Sequence, residues 1–366
     1  MTDRPAVQNF DWGLLGLAFA LAAMGIVTLY SAVNAGEERF QEILVVKQLI
    51  WYCVGVAIII VSLLFNYKSL NRWAYTVYWI CICQLAAVLL FGKYVAGSRR
   101  WLALGPVSIQ PSELVKIAVI IMLARYYAKI VNPKGLSFRE LLYPFIITGI
   151  PFALIVKQPD LGTAMLVLLI AASVTFFVKI EIRSLSYLAI VCTMAAPLLW
   201  LGLKGYQKQR ILTFLDPDLD PLGAGYHIIQ SKIAIGSGML SGKGLLKGTQ
   251  NALSFLPEQH TDFIFSVMSE EMGFAGSLFT ILLFLMLIVW GLNIAYGCRD
   301  PFGTILSVGI TAMIFWQVFI NIGMVMGLVP VVGVPLPFIS YGGSSVMTMM
   351  TCIAILMNVS MRHSFN

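Results

Sequence analysis

The sequence predicts an all-α, polytopic membrane protein: about ten transmembrane helices, with one long extracytoplasmic loop between helices 7 and 8 that contains short interfacial or re-entrant helices. Three observations predict it. Hydrophobic residues make up 59% of the 366 and charged residues 11%, with mean hydropathy +0.87, against roughly 45–50% apolar in a soluble domain. A chain this apolar cannot cover its surface with polar groups, so its outside faces lipid. The apolar runs are about 20 residues long and lack a polar stripe, the length and pattern that cross a hydrocarbon core. Lys and Arg are unequally shared between alternate connections, as cytoplasmic loops require.

The first run, Trp12 to Val33, follows a short polar tip carrying Asp3, Arg4 and Asp11. It is too long for a signal-peptide core and its tip is not basic, so it reads as a retained span. The others fall at about 45–65, 73–92, 112–130, 141–157, 161–178, 184–203, 272–296, 303–329 and 340–361. With the N-terminus inside, the inner segments hold eleven basic residues: Arg4, Lys68, Arg72, Arg125, Lys129, Lys134, Arg139, Lys179, Arg183, Arg299 and Arg362. The short outer loops hold five: Arg39, Lys93, Arg99, Arg100 and Lys157. Both termini are therefore expected in the cytoplasm.

The outer segment from Lys204 to Glu271 is much longer than the rest, and long loops of this kind are usually functional. Within it, Tyr226–Leu240 and Phe263–Met268 are apolar but too short to span, and fit helices resting on or dipping into the bundle. No repeat or separate soluble domain is visible. Residues 1–366 read as a single transmembrane domain, with the long loop at about 204–271. The six cysteines lie in or at the ends of apolar runs, where they act as small hydrophobes, and Cys81-x-Cys83 lacks zinc spacing. A net charge of +7 suits a neighbour of anionic lipid. No motif supports nucleic-acid binding.

Ionisable groups in or beside spans are costly unless paired or wet, so each is a functional candidate. Glu113 and Lys116, in PSELVKIAV, are three apart and share a helix face; Asp160, in KQPDLGT, ends the next outer connection. Either Glu113 complements a helix N-terminus with Lys116 beside it, or the three form an ion-pair cluster that shapes a polar cavity. Arg100 (AGSRRWLALG), Arg210 (YQKQRIL), Lys232 and the glycine-rich IGSGMLSGKGLLKG with Lys243 and Lys247 bring positive charge to the outer face. Guanidinium and backbone N–H groups suit phosphate oxygens, but the glycine pattern lacks the ending of a P-loop. VPLPFISYGGSS opens the last span, and Ser340 with Gly342-Gly343 is either an anion-approaching helix start or a flexible turn with a serine cap.

LPEQHTDFIFSVMSEE crowds Glu258, His260, Asp262, Glu270 and Glu271 into one stretch of a charge-poor chain. Thr261 or Asp262 could be a plain helix cap, and His260 a hydrogen-bonded structural histidine. Yet Asp262 sits between apolar segments in the loop that also carries basic residues and glycines. Desolvation raises a carboxylate's pKa and makes it a usable general base. No metal-ligand spacing appears.

Read together, QPSELVK, KQPDLGT, DPLGAGYHIIQSKIAIGSG, LPEQHTDFIFSV and PVVGVPLPFISYGGSS resemble the SEDS family of shape, elongation, division and sporulation proteins. They run in order over most of the chain, and the run through HTDF is more similar to the rod-elongation branch than to the division branch. The resemblance implies a peptidoglycan glycosyltransferase that polymerises lipid II into glycan strands on the outer side of the bacterial inner membrane. It implies that Asp262 is the essential aspartate, with Glu113, Lys116 and Asp160 at the family's charged positions. Implied partners are a class B penicillin-binding transpeptidase and other elongation-machinery membrane proteins. Arg100, Arg210 and Lys232 would stabilise the leaving lipid diphosphate, and His260, Thr261 and Ser340 join the substrate-binding candidates by position. No cofactor is required with certainty; a divalent cation, Mg or Mn, suits a diphosphate. The alternatives are a lipid-linked precursor flippase and a non-catalytic transpeptidase scaffold.

Overall fold

The computed structural model describes residues 10–34, 42–95, 98–104, 107–130, 135–202, 205–220, 223–252 and 259–363. Asp3, Arg4, Arg39, Lys134, Lys204 and Glu258, used above, lie outside the described residues. The helices are α1 (Trp12–Asn34), α2 (Glu42–Leu63), α3 (Lys68–Phe91), α4 (Pro111–Tyr127), α5 (Phe138–Lys157), α6 (Leu161–Phe177), α7 (Ile182–Gly202), α8 (Gly205–Leu215), α9 (Ala224–Ser237), α10 (Thr249–Ala252), α11 (Ile264–Gly297), α12 (Pro301–Val325) and α13 (Gly343–His363). Seven of them, α1, α2, α3, α5, α11, α12 and α13, contain a stretch long and apolar enough to cross a membrane. The chain is thus a helical, multi-pass membrane protein.

Burial ranks the helices. The apolar windows of α13 and α12 are 83% and 72% buried, against 22% for α2, so the first two form the centre and α2 faces lipid. Helix α4 is buried along most of its length despite carrying Glu113 and Lys116. It packs against α3, α6 and α12. Local chemistry sets the helix starts: Ser137 and Glu140 form a capping box on α5, and the Asp300 carboxylate accepts from the Gly303 N–H at 3.2 Å on α12.

Two features go beyond the sequence reading. The connection before α4, read only as a short outer loop, is a small antiparallel meander, β1 (Lys93–Val95), β2 (Ser98–Leu104) and β3 (Val107–Ile109). Alternation in so short a segment was masked by Gly and Pro. Phe263–Met268 opens a short helix, as expected, and this runs into the next long apolar helix: α11 is two helices joined at a kink where Gly273 takes φ 66° and ψ −163°. The ninth span stops at Val325, and 326–342 is non-helical, because Pro330, Pro335 and Pro337 cannot continue a helix. This stretch re-enters the bundle: Val334, Leu336, Phe338, Ile339 and Ser340 are all buried. A Cβ on Gly25 of α1 would lie 2.7 Å from the Phe338 carbonyl oxygen, so the stretch packs directly on that helix.

Glycines fasten the long loop to the kink. A Cβ on Gly273 would lie 2.3 Å from the Gly242 backbone nitrogen, and Gly242 itself has φ 78°. The Phe274 and Ala275 N–H groups donate to the Met239 and Leu240 carbonyls at 2.8 and 3.1 Å. Gly273→Ala is expected to destabilise the protein by about 1–3 kcal/mol from its backbone alone, with the clash adding to it. Gly16→Ala on α1, whose Cβ meets nothing within 4 Å, serves as the neutral comparison. Melts of the two purified variants in detergent check this: Gly273→Ala should unfold at lower temperature and Gly16→Ala should match the parent.

Candidate active site

Asp262 lies in the turn that leads into α11, half-buried at one end of the bundle. Its neighbours fix that turn by their backbone. The Ser340 hydroxyl donates to the Thr261 carbonyl at 2.6 Å, the Tyr341 N–H to the His260 carbonyl at 2.9 Å, and the Asn321 side-chain amide to the Asp262 carbonyl at 3.0 Å. The re-entrant stretch supplies the wall beside the carboxylate: a Cβ on Gly333, which has φ 70°, would stand 3.2 Å from Asp262 Oδ2. One residue earlier, the Val332 carbonyl oxygen lies 2.5 Å from where Gly162 would carry a Cβ. Val332-Gly333 therefore bridges the start of α6 to Asp262.

The second cluster is joined to the first through the re-entrant stretch. Asp160 caps α6, accepting from the Thr163 N–H at 3.3 Å and the Thr163 hydroxyl at 3.0 Å. Its Oδ1 is 4.0 Å from Arg100 Nη1, and Arg100 also donates to the Pro159 carbonyl. The Gln110 side chain donates to Asp160 Oδ2 at 3.4 Å while its backbone N–H donates to the Ser344 hydroxyl at 3.1 Å. The Gln48 carboxamide continues the network, donating to the Ser340 carbonyl at 3.2 Å and accepting from the Gly342 N–H at 3.2 Å. The turn is thus linked to Asp160 and Arg100 along the start of α13: Ser340 and Tyr341 hold it, Gln48 spans Ser340 and Gly342, and Ser344 takes the N–H of Gln110, which reaches Asp160.

Glu113 and Lys116 form a separate ion pair at 2.7 Å, both buried in α4. Among the described residues Asp160 pairs with Arg100 rather than Lys116, so the three-way cluster is two pairs. The other Glu113 oxygen, Oε2, is buried without a hydrogen-bond partner among the described residues. Two charges buried this way offset each other's desolvation, and removing one alone is costly. Arg210 is half-buried on α8, which packs on α9. Lys232, on α9, lays its stem over Gly327, where a Cβ would come within 2.3 Å of Lys232 Cε. Helix α9 is itself tied down by Ser231, whose hydroxyl donates to the Val325 carbonyl at 2.6 Å and meets the Ser266 hydroxyl at 2.8 Å.

The acidic crowding now has a physical account. Glu270, fully buried, accepts at Oε1 from Lys243 Nζ at 2.6 Å, the Thr249 N–H at 2.8 Å, the Thr249 hydroxyl at 3.1 Å and the Gln250 N–H at 3.1 Å. Glu271 accepts from the Ser31 hydroxyl at 2.5 Å, and Ser31 in turn accepts from the Leu246 N–H at 3.0 Å. A Cβ on Gly248 would fit only tightly, 3.0 Å from Glu270 Oε2. The glycine–lysine stretch is therefore a strap held on the kinked α11 by two carboxylates, and Lys243 is engaged by Glu270.

Sequence reasoning missed Asn321, Gln110, Gln48 and His227. The first three are amides inside or beside apolar runs, with no charge to signal them. His227 lies on α9 with its ring 6.3 Å from Phe263, and burial lowers its pKa against the opposing pull of Asp220. Among the described residues no three His, Cys, Asp or Glu side chains converge to hold a metal ion.

The family model described as cell cycle protein, covering FtsW, RodA and SpoVE, matches residues 12–364. The chain is 42% identical over 362 residues to the peptidoglycan glycosyltransferase MrdB of Escherichia coli, covering 98% of this chain and 97% of that one. Its fold is similar to a chain of a peptidoglycan synthase complex solved for the coordination of polymerization and crosslinking, with TM-score 0.83, 29% identity, and 98% and 99% of the two chains covered. It is also similar to the rod shape determining protein RodA of Thermus thermophilus, with TM-score 0.72, 26% identity and 98% of each chain covered.

Removing Glu270 should loosen the strap more than removing Lys243. Glu270→Ala leaves four donors without their acceptor and is expected to destabilise by roughly 3–5 kcal/mol. Lys243→Ala should cost less, since Lys243 is 26% exposed and the other donors still satisfy Glu270. Limited proteolysis between residues 239 and 252, with detergent melts, checks the order; equal behaviour of the two variants contradicts it.

Proposed function

This chain belongs to the FtsW, RodA and SpoVE family of cell cycle proteins, and from that premise we propose how its polar end carries out glycosyl transfer. It is a peptidoglycan glycosyltransferase. The donor is lipid II or the growing strand, whose anomeric carbon bears a lipid diphosphate. The acceptor sugar's 4-hydroxyl attacks that carbon, the C–O bond to the diphosphate breaks, and the electron pair leaves with the lipid diphosphate. The proton of the attacking hydroxyl goes to the Asp262 carboxylate. One direct displacement inverts the anomeric centre and needs no covalent enzyme intermediate.

The observation that carries this reading is the geometry of Asp262. Its turn is held at three successive carbonyls, and its carboxylate, half-buried, stands beside a glycine wall. A base must be placed within hydrogen-bond reach of the proton it accepts, and such help is worth roughly 10²–10⁴-fold. His260 and Thr261 contribute through the peptide groups that Ser340 and Tyr341 hold, and Ser340 acts as a latch on the turn. Arg210 and Lys232, on the helices over this end, offset the charge developing on the leaving diphosphate. Arg100 joins them only by exchanging its contacts with Asp160 and Pro159. Glu113 and Lys116 support the start of α4. A Mg or Mn ion, where used, would arrive on the diphosphate rather than on a protein-held site, and no step is routed through it.

The same reading extends to topology and partners. Helices α4, α6 and α7 cross the bacterial inner membrane together with the seven long apolar ones, making ten spans with both termini cytoplasmic and residues 204–271 outside. The charge-bearing α4 and the equally short α6, each 17 residues, are tolerated because both pack against α12 and each other. A class B penicillin-binding transpeptidase and the elongation-machinery membrane proteins are the proposed partners, supported by the likeness to a chain of a peptidoglycan synthase complex.

Asp262→Asn keeps the shape of the side chain but cannot accept the proton. Purified in detergent and given lipid II, it is expected to polymerise about 10²–10⁴-fold more slowly than the parent, with an unchanged melt. Glycan strands of normal length formed at the normal rate would remove Asp262 as the base.

A further inference from the structure

Asn321 lies in the last turns of α12 and is wholly buried. Its amide nitrogen donates to the Asp262 carbonyl at 3.0 Å and to the Val334 carbonyl at 2.7 Å. The two acceptors belong to different non-helical stretches. One is the turn that carries Asp262, and the other is the re-entrant stretch whose Gly333 stands against the Asp262 carboxylate. A single NH₂ group therefore sets the spacing between the carboxylate's own backbone and the wall beside it. A hydroxyl has one hydrogen and an apolar side chain none, so neither can hold both carbonyls. The amide orientation is unambiguous, since the reverse one would point Oδ1 at two carbonyl oxygens.

We propose that Asn321 is a positioning residue for the glycosyl transfer, acting through Asp262, a proposal that rests on the reading of Asp262 as the base. Catalytic geometry tolerates displacements of only about 0.5 Å, and a misplacement of about 1 Å can cost on the order of 10²-fold in rate. Losing the clip frees the Asp262 peptide from α12 and takes the Asn321 donor away from both carbonyls, so the turn re-sorts its hydrogen bonds. Lipid II contacts made elsewhere are untouched. The effect should therefore fall on turnover rather than on substrate affinity. Gln317, one turn earlier on α12, is just as buried but has no hydrogen-bond partner at either amide atom among the described residues. It controls for the general cost of removing a buried amide from this helix.

The experiment compares the purified full-length parent, Asn321→Ala, Gln317→Ala and Asp262→Asn in detergent, with initial rates over a range of lipid II concentrations. Asn321→Ala should lose about 10–100-fold in kcat with KM within about threefold, and Gln317→Ala should stay within about twofold on both. If Asn321→Ala melts below Gln317→Ala, Asn321→Ser, which keeps one donor, is read instead and should show an intermediate kcat at unchanged KM. A parental kcat for Asn321→Ala alongside an inactive Asp262→Asn overturns the positioning role and leaves the base reading standing. Equal losses in Asn321→Ala and Gln317→Ala, or a loss confined to KM, also overturn it. An active Asp262→Asn instead overturns the base reading.

Discussion

Backbone that leaves the helix inside an apolar bundle must find its hydrogen bonds in protein, because lipid offers none. Three such places meet at one end of this molecule: the turn at 259–263, the re-entrant 326–342 and Gln110, the residue between β3 and α4. Each completes the others. Ser340 and Tyr341 hold the turn, Asn321 clips the turn to the re-entrant stretch, and Ser344 takes the Gln110 N–H while Gln110 reaches Asp160. Leaving one of these buried groups unpaired would cost about 1–3 kcal/mol, so the stretches are coupled. Asp262 inherits a fixed place from this mutual satisfaction.

The same logic explains why acids gather in a charge-poor chain. Asp262 and the Glu270-Glu271 pair lie on one segment but have different roles. The two glutamates turn inward, collecting Lys243, the Thr249 and Gln250 N–H groups and the Ser31 hydroxyl, and so fasten the strap of the long loop to the kinked α11. Asp262 stands at the other end of that segment, half-exposed. The strap and the turn enclose the segment between them, so its flexibility is limited at both ends. Lipid-anchored sugars presented at this end would meet a rigid carboxylate and the basic residues of α8 and α9.

Much of this was legible in the sequence, and the exceptions share a cause. Long apolar runs located the seven long apolar helices within a few residues, and Tyr226–Leu240 was recognised as a short helix, seen as α9. Asp160 and Arg100, Glu113 and Lys116, and the HTD turn stood out because charge is expensive beside lipid. How the charges pair was not legible, since helix periodicity brings Glu113 to Lys116 but says nothing of which basic group the Asp160 loop meets. Nor was the Glu270 strap, because a glycine–lysine stretch suits phosphate and carboxylate alike. Asn321 was invisible for a different reason: a neutral amide in an apolar run carries no signal until its two carbonyl partners are known.

A structure of the protein with donor and acceptor lipid-linked disaccharides bound tests the central claim most directly. The account places the acceptor's 4-hydroxyl within hydrogen-bond reach of the Asp262 carboxylate, about 2.6–3.2 Å, with the His260–Asp262 turn still held by Ser340, Tyr341 and Asn321. An acceptor hydroxyl lying against another side chain, with Asp262 turned away behind the Gly333 wall, would contradict it.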